Sequence, residues 1–199
     1  MSSPVLNFSD GEISELGERG YLIRDTFLGE PLARRVHADA QTLVVKGALV
    51  PAGVGREQRT HAPQIRTDST YWPEADDTCE SLREAWQAFA ALQQQLNAQA
   101  WLGLKRFELQ LAHYGPGGRY QRHRDAFLGD DNRRVTAIVY LNPDWSSADG
   151  GHLRIYRDEP FDLEPRLDRL VIFLSERIEH EVLPNTAGRF ALTAWYRSR

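Results

Sequence analysis

Hydrophobic positions recur at two different periods along the chain. In the first hundred residues they fall three or four apart. Leu32, Val36, Leu43 and Val44 do so between Glu30 and about Lys46, and Leu82, Trp86, Phe89 and Leu96, with Gln93 on the same face, do so up to about Ala100. That spacing predicts two amphipathic helices. Ser9 or Asp10 is placed to cap an earlier helix ending near Arg19, and Asp77 with Glu80 three residues on forms a capping-box pattern for the last. YLIRD, from Tyr21 to Asp25, reads as a strand.

After Trp101 the period drops to two, with Phe107, Leu109, Leu111 and His113 alternating with Glu108, Gln110, Ala112 and Tyr114. Short apolar runs follow at Val135–Leu141, His152–Tyr156, Arg169–Leu174, His180–Leu183 and Arg189–Tyr196, separated by GPGG, NPDWSSADGG and PNTAG turn segments. Helices first and many short strands afterwards predict an α+β fold with a mainly β core, either sandwich, barrel or jelly roll. The segment from Lys46 to Trp72, rich in Gly, Pro and polar residues, is too long for an ordinary connection and reads as a binding loop or lid.

Composition narrows the class. The 199 residues are 41% hydrophobic and 26% charged, with a net charge of -4, which describes a globular chain and excludes bulk disorder. With 22 Arg, 2 Lys and 28 acidic residues, the balance argues against coating nucleic acid or an anionic membrane. One cysteine, Cys79, forms no internal disulfide, and the chain carries neither a signal-peptide pattern nor a long apolar run, so a cytoplasmic location is expected.

Six histidines are present, and two stand in His-x-acid pairs, His37 with Asp39 and His123 with Asp125. Residues two apart diverge around a helix but share a face in extended backbone. Asp39 falls in a predicted helix, whereas His123 and Asp125 follow a Gly-rich turn in the β half and can converge. A second imidazole, His180, lies 55 residues beyond Asp125. Two His and one carboxylate on one face of a metal make the facial triad of non-haem Fe(II) oxygenases, whose open positions take reductant and O2. Arg189, nine residues past His180 and across the PNTAG turn, is expected to open a strand pairing with the one that carries His180. A guanidinium inside a β core requires an anionic ligand or an internal acid.

These residues resemble those of the 2-oxoglutarate and Fe(II) dependent prolyl hydroxylases, specifically the bacterial relatives of the oxygen-sensing hydroxylases. The resemblance runs through HYGPGGRYQRHRD (His113–Asp125), TAIVYLNPDW (Thr136–Trp145), GGHLRIY (Gly150–Tyr156), EPRLDRLVIFLSERIEHEV (Glu164–Val182) and GRFALTAWY (Gly188–Tyr196), with looser likeness at PAGVG (Pro51–Gly55) and QIRTDSTYW (Gln64–Trp72). The turn after Tyr114 is one residue shorter than in the animal oxygen sensors. The resemblance implies a double-stranded β-helix with N-terminal supporting helices, as a single domain with helical support and substrate loop over 1–103 and the jelly-roll core over 104–199. It implies His123, Asp125 and His180 as iron ligands, and Arg189 with Tyr140 and Tyr114 as contacts of 2-oxoglutarate. Leu153, Val182, Thr193 and Trp195 would line the cavity near the iron.

The activity so implied consumes O2 and 2-oxoglutarate, hydroxylates a prolyl residue of a protein or peptide, and releases succinate and CO2. Ascorbate would be the reductant that rescues oxidised iron. A translation factor is a candidate partner, and Arg119, Arg122, Arg124, Arg133 and Arg134 could meet an acidic patch on it or form a solvated rim. Neither membrane nor nucleic acid is expected. Two rival readings are a nucleic-acid demethylase of the same superfamily, which carries a second Arg where this chain has Trp195, and a non-catalytic jelly-roll interaction domain.

Overall fold

Ser9 begins the first helix through a reciprocal cap. Its hydroxyl accepts the Glu12 N–H at 3.3 Å, while the Glu12 carboxylate accepts the Ser9 N–H at 2.8 Å. In the computed structural model, which describes residues 7–54, 60–126 and 133–199, α1 (Asp10–Arg19) ends at Gly20, whose φ of 84° only glycine adopts freely. It is followed by β1 (Tyr21–Arg24) and α2 (Glu30–Val45). Helix α3 covers Glu80–Ala100.

The capping box expected at Asp77 does not form. The Asp77 carboxylate instead accepts the Tyr71 hydroxyl at 2.7 Å and the Cys79 N–H at 2.8 Å, and α3 starts at Glu80 without a side-chain cap. The hydroxyl at the end of β5 (Ser69–Tyr71) holds that carboxylate outside the helix.

The segment after α2 is not a plain loop. It contains β2 (Val50–Pro51), β3 (Gly53–Val54), β4 (Thr60–His61) and β5, with β3 paired to β4 and β2 to β5. Gly55 of the PAGVG motif lies outside the described residues. The remaining strands are β6 (Arg106–Tyr114), β7 (Tyr120–His123), β8 (Arg133–Tyr140), β9 (Leu153–Tyr156), β10 (Phe161–Leu163), β11 (Leu170–Leu174), β12 (Glu179–Val182) and β13 (Arg189–Arg197). Strands β7 and β10 carry no apolar run in sequence: two of the four β7 residues face water, and β10 is three residues long with Asp162 at its centre.

Two antiparallel sheets make the fold: a larger one in the order β1-β11-β8-β13-β6-β5-β2, and a smaller one in the order β10-β9-β12-β7. The fold is a double-stranded β-helix. Helices cover the outer face of the larger sheet, where Phe89, Leu92 and Leu96 pack with Leu109, Leu111, Val139 and Leu192. A second core lies between the sheets and includes Ile138, Tyr140, Leu153, Ile155, Phe173 and Val182. The central strands β8 and β13 are therefore buried on both faces, and each enclosed Leu, Ile or Phe stabilises by about 1.5–3 kcal/mol.

The expected pairing of the His180 and Arg189 strands is wrong. Strand β12 pairs with β9 and β7, whereas β13 pairs with β6 and β8. The Pro184–Gly188 connection crosses from one sheet to the other, held by the buried Asn185, whose amide donates to the Tyr114 carbonyl at 3.0 Å and also to the Ala187 carbonyl. His180 and Arg189 border one space because that space lies between the sheets.

Candidate functional site

Strands β7 and β12 deliver the two imidazoles. His123 and His180 are cross-strand partners, with ring centroids 4.2 Å apart. Asp125, just past the end of β7, turns its carboxylate toward both: Oδ1 is 3.6 Å from His123 Nε2 and Oδ2 is 3.8 Å from His180 Nε2. Donor atoms of the three residues all lie within 4.8 Å of one another, close enough to close on a single ion.

Each of the three side chains is oriented from behind. His123 Nδ1 is 2.7 Å from the Gln121 carbonyl and His180 Nδ1 is 3.4 Å from the Ile178 carbonyl, so an Nδ1–H donated there leaves both Nε2 lone pairs facing the centre. Thr136 donates its hydroxyl to Asp125 Oδ2 at 2.7 Å and sits 2.9 Å from the Ser175 hydroxyl. Neither Thr136 nor Ser175 was picked out from sequence. Burial pushes His180 down to about 4, aided by neighbouring His123 and opposed by Asp125, so the imidazole is neutral near pH 7. Burial works against the Asp125 charge, yet the two imidazoles and Arg133 hold its pKa far below the usual carboxylate range. A neutral His180 beside an anionic Asp125 suits a divalent cation with open positions.

A cavity lies beside this cluster and is lined by all three of its residues. Arg189, only 3% exposed, also lines it, directly opposite Tyr114 in the β13–β6 register. Arg189 Nε donates to the Gly151 carbonyl at 2.8 Å, and its guanidinium carbon lies 5.1 Å and 5.0 Å from the ring centres of Tyr114 and Tyr140. Among the described residues no carboxylate pairs with it. The Tyr140 hydroxyl, raised to about 12 by burial against the opposing effect of Arg189, has no hydrogen-bond partner there. A buried guanidinium and a bare hydroxyl side by side have the chemistry to hold a carboxylate.

Leu153, Val182, Thr193 and Trp195 all line this cavity, as do Tyr114, Ile138 and Ala191. Gln110 does so as well, a polar residue that the sequence marks only by its place in an alternating strand. Its Nε2 and the Trp195 Nε1 are buried donors without acceptors. The Trp195 ring lies 5.9 Å from that of partly exposed Trp72, tilted by 37°, and the Arg133 guanidinium carbon lies 4.4 Å over the Trp195 ring.

Most of the arginines near the ligands are paired. Arg122 binds Glu179, Arg124 reaches it at 4.0 Å, and Arg133 lies 3.6 Å from Glu108. His37 and Asp39 take no part in the centre. His37 Nδ1 contacts the Leu141 carbonyl at 2.6 Å and Asp39 accepts the Ser81 hydroxyl at 2.6 Å.

Residues 109–197 match the 2OG-Fe(II) oxygenase superfamily. A prolyl-4-hydroxylase from Pseudomonas putida has a similar crystal structure, with a TM-score of 0.87 and 35% identity, covering 94% of this chain and 97% of that one. A prolyl hydroxylase from Trichoplax adhaerens, solved with a hypoxia inducible factor oxygen degradation domain peptide fragment, gives a TM-score of 0.87 at 30% identity, covering 94% and 87%. The hypoxia-inducible factor prolyl hydroxylase of Caenorhabditis elegans is 32% identical over 201 residues, 94% of this chain and 28% of that protein. The chain spans about half the length of several vertebrate relatives. It belongs to the 2OG-Fe(II) oxygenase superfamily. Within that superfamily, these homologues are prolyl hydroxylases.

Proposed function

We propose that the protein is an Fe(II)- and 2-oxoglutarate-dependent dioxygenase that hydroxylates a prolyl residue in a protein or peptide, with release of succinate and CO2. The observation that carries this reading is the buried Arg189, without a carboxylate partner among the described residues, on the cavity that also holds His123, Asp125 and His180. An unpaired guanidinium inside a β core is costly unless an anion completes it.

His123, Asp125 and His180 would hold the iron, and Arg189 with Tyr140 would hold the distal carboxylate of 2-oxoglutarate, with Tyr114 facing the same molecule. Iron and 2-oxoglutarate together, when bound, supply oxidising power from O2 that no side chain possesses. The chain's own part is geometry. Thr136 and the backbone carbonyls of Gln121 and Ile178 fix the ligand orientations, and Leu153, Ile138, Val182 and Ala191 exclude water. Thr193, Trp195 and Gln110 line the side from which a substrate would enter, under the Trp72–Trp195 pair.

The prolyl target is supported by the homologues. The nucleic-acid alternative lacks the second arginine of that branch, since Trp195 holds the position. A translation factor is our candidate partner, ascorbate our candidate reductant, and the cytoplasm our expected location. The test is incubation with Fe(II), 2-oxoglutarate, O2 and proline-bearing candidate proteins. A one-oxygen mass gain on proline, matched by equimolar succinate, supports the reading. Succinate release driven only by methylated nucleic acid, or no turnover with intact metal binding, refutes it.

A further inference from the structure

The segment before β5 reaches the metal cluster through a stack of three planar groups. The Tyr120 ring lies on the His123 imidazole, with centroids 3.6 Å apart and planes 15° from parallel. The Arg66 guanidinium carbon lies 4.4 Å from the centre of the Tyr120 ring. Arg66 is itself held by Asp68, with Nε to Oδ1 at 2.7 Å and Nη2 to Oδ2 at 2.5 Å, and both residues are buried, at 5% and 3% exposure. A planar fork locked by a bidentate carboxylate loses little freedom on stacking.

The backbone is keyed in the same place. Gln121 donates its N–H to the Ile65 carbonyl at 2.9 Å, and Thr67 donates to the Arg119 carbonyl at 3.1 Å. Arg119 N–H donates to the Thr67 hydroxyl at 3.0 Å, and Arg66 forms an isolated antiparallel bridge with Tyr120. The Gln121 carbonyl is the group that faces His123 Nδ1. One residue thus has its N–H tied to the Ile65–Thr67 segment and its carbonyl tied to the imidazole.

We infer that Arg66 is a positioning residue for the metal centre. Through Tyr120 it fixes the plane of the His123 imidazole, so that docking of the Ala62–Asp68 segment on β7 sets how well that imidazole ligates. The inference rests on the proposed reading of His123, Asp125 and His180 as metal ligands. Its distinctive content is that planarity at position 66 matters. Lysine would keep the charge and a contact with Asp68 but cannot stack as a plane.

Co(II) binding, followed by its visible absorption and by the shifted exchangeable imidazole protons in proton NMR, tests this without any substrate. Arg66→Met and Arg66→Lys are both expected to weaken Co(II) about tenfold and to move the His123 Nδ1 proton signal, as loss of groups behind metal ligands commonly does. Tyr120→Leu is expected to do the same, and Arg66→Met/Tyr120→Leu to add little more, because the stack acts as a unit. Far-ultraviolet circular dichroism and thermal melting of each variant identify a general loss of fold. Failure of the wild type to bind Co(II) would remove the metal-site reading itself. Normal affinity and unshifted signals in folded Arg66→Met, or full rescue by Arg66→Lys, would overturn the positioning role.

Discussion

His180 stands directly opposite His123 across the β12–β7 pair, their rings 4.2 Å apart and tilted by 57°, with Asp125 facing both. Burial, with the neighbouring His123 ring, disfavours a proton on His180.

That arrangement gives the apoprotein a signed pH dependence. His180 titrates near 4 in the fold, and burial also lowers His37 and His113, whereas an unfolded histidine titrates near 6.5. Between those values the unfolded chain binds more protons than the folded one, so stability falls as pH falls below about 6.5. Asp125 acts in the same direction at lower pH, since its lowered pKa contributes stability that is lost below about 4. The buried Asp168, raised by burial, opposes this only in part. The melting temperature of metal-free protein is expected to drop steadily from pH 7 to pH 5. A flat profile would contradict the buried neutral histidines.

Replacing Arg189 should separate stability from function. Arg189→Met is expected to raise the 2-oxoglutarate concentration for half-maximal succinate formation by about 100-fold, within the roughly 2–5 kcal/mol lost when one partner of a buried charge pair is truncated. The same change removes a buried charge that no carboxylate among the described residues pairs, so the ligand-free protein should melt no lower than the wild type. Steady-state kinetics against 2-oxoglutarate and thermal melting check the two halves. An unchanged concentration dependence would take Arg189 out of the carboxylate site.

Thr136 holds Asp125 by one hydroxyl from inside the larger sheet. Thr136→Val keeps the shape and deletes that donor, and metal affinity by calorimetric titration should fall about tenfold, with Thr136→Ser recovering most of it. Equal affinity in all three proteins would show that Asp125 needs no such support.

Gly118 lets the chain turn tightly between Tyr114 and β7. A Cβ there would lie 2.6 Å from the Gly115 carbonyl oxygen and 2.8 Å from Tyr114 Cβ, both closer than atoms pack. Gly118→Ala should therefore cost about 2–3 kcal/mol in urea denaturation, the scale of forcing extra atoms into filled space. A variant as stable as the wild type would mean the turn yields readily.

Much of this molecule is written in short-range order. Helices α2 and α3 follow from apolar residues spaced three and four apart, α1 from its cap, and the inner strands from alternation or from apolar runs such as VTAIVYL, because side-chain period is a local property of backbone geometry. His123 and Asp125 could be paired from their spacing for the same reason. What lies across sheets was not legible. Only the packing decides that Pro184–Gly188 crosses between sheets, leaving Arg189 opposite Tyr114, and that Thr136 and Ser175 meet behind Asp125.

Strand β7 shows the division most clearly. Its polar sequence gives no periodic signal, yet β12 and the Ala62–Asp68 segment flank it and supply the hydrogen bonds that make it a strand. The chain alone determines which residues carry donors, charge and apolar surface. Which of them converge on one cavity, and which buried groups are left without partners, depends on contacts between residues far apart in the chain, such as Trp72 with Trp195, and those exist only once the sheets have closed on each other.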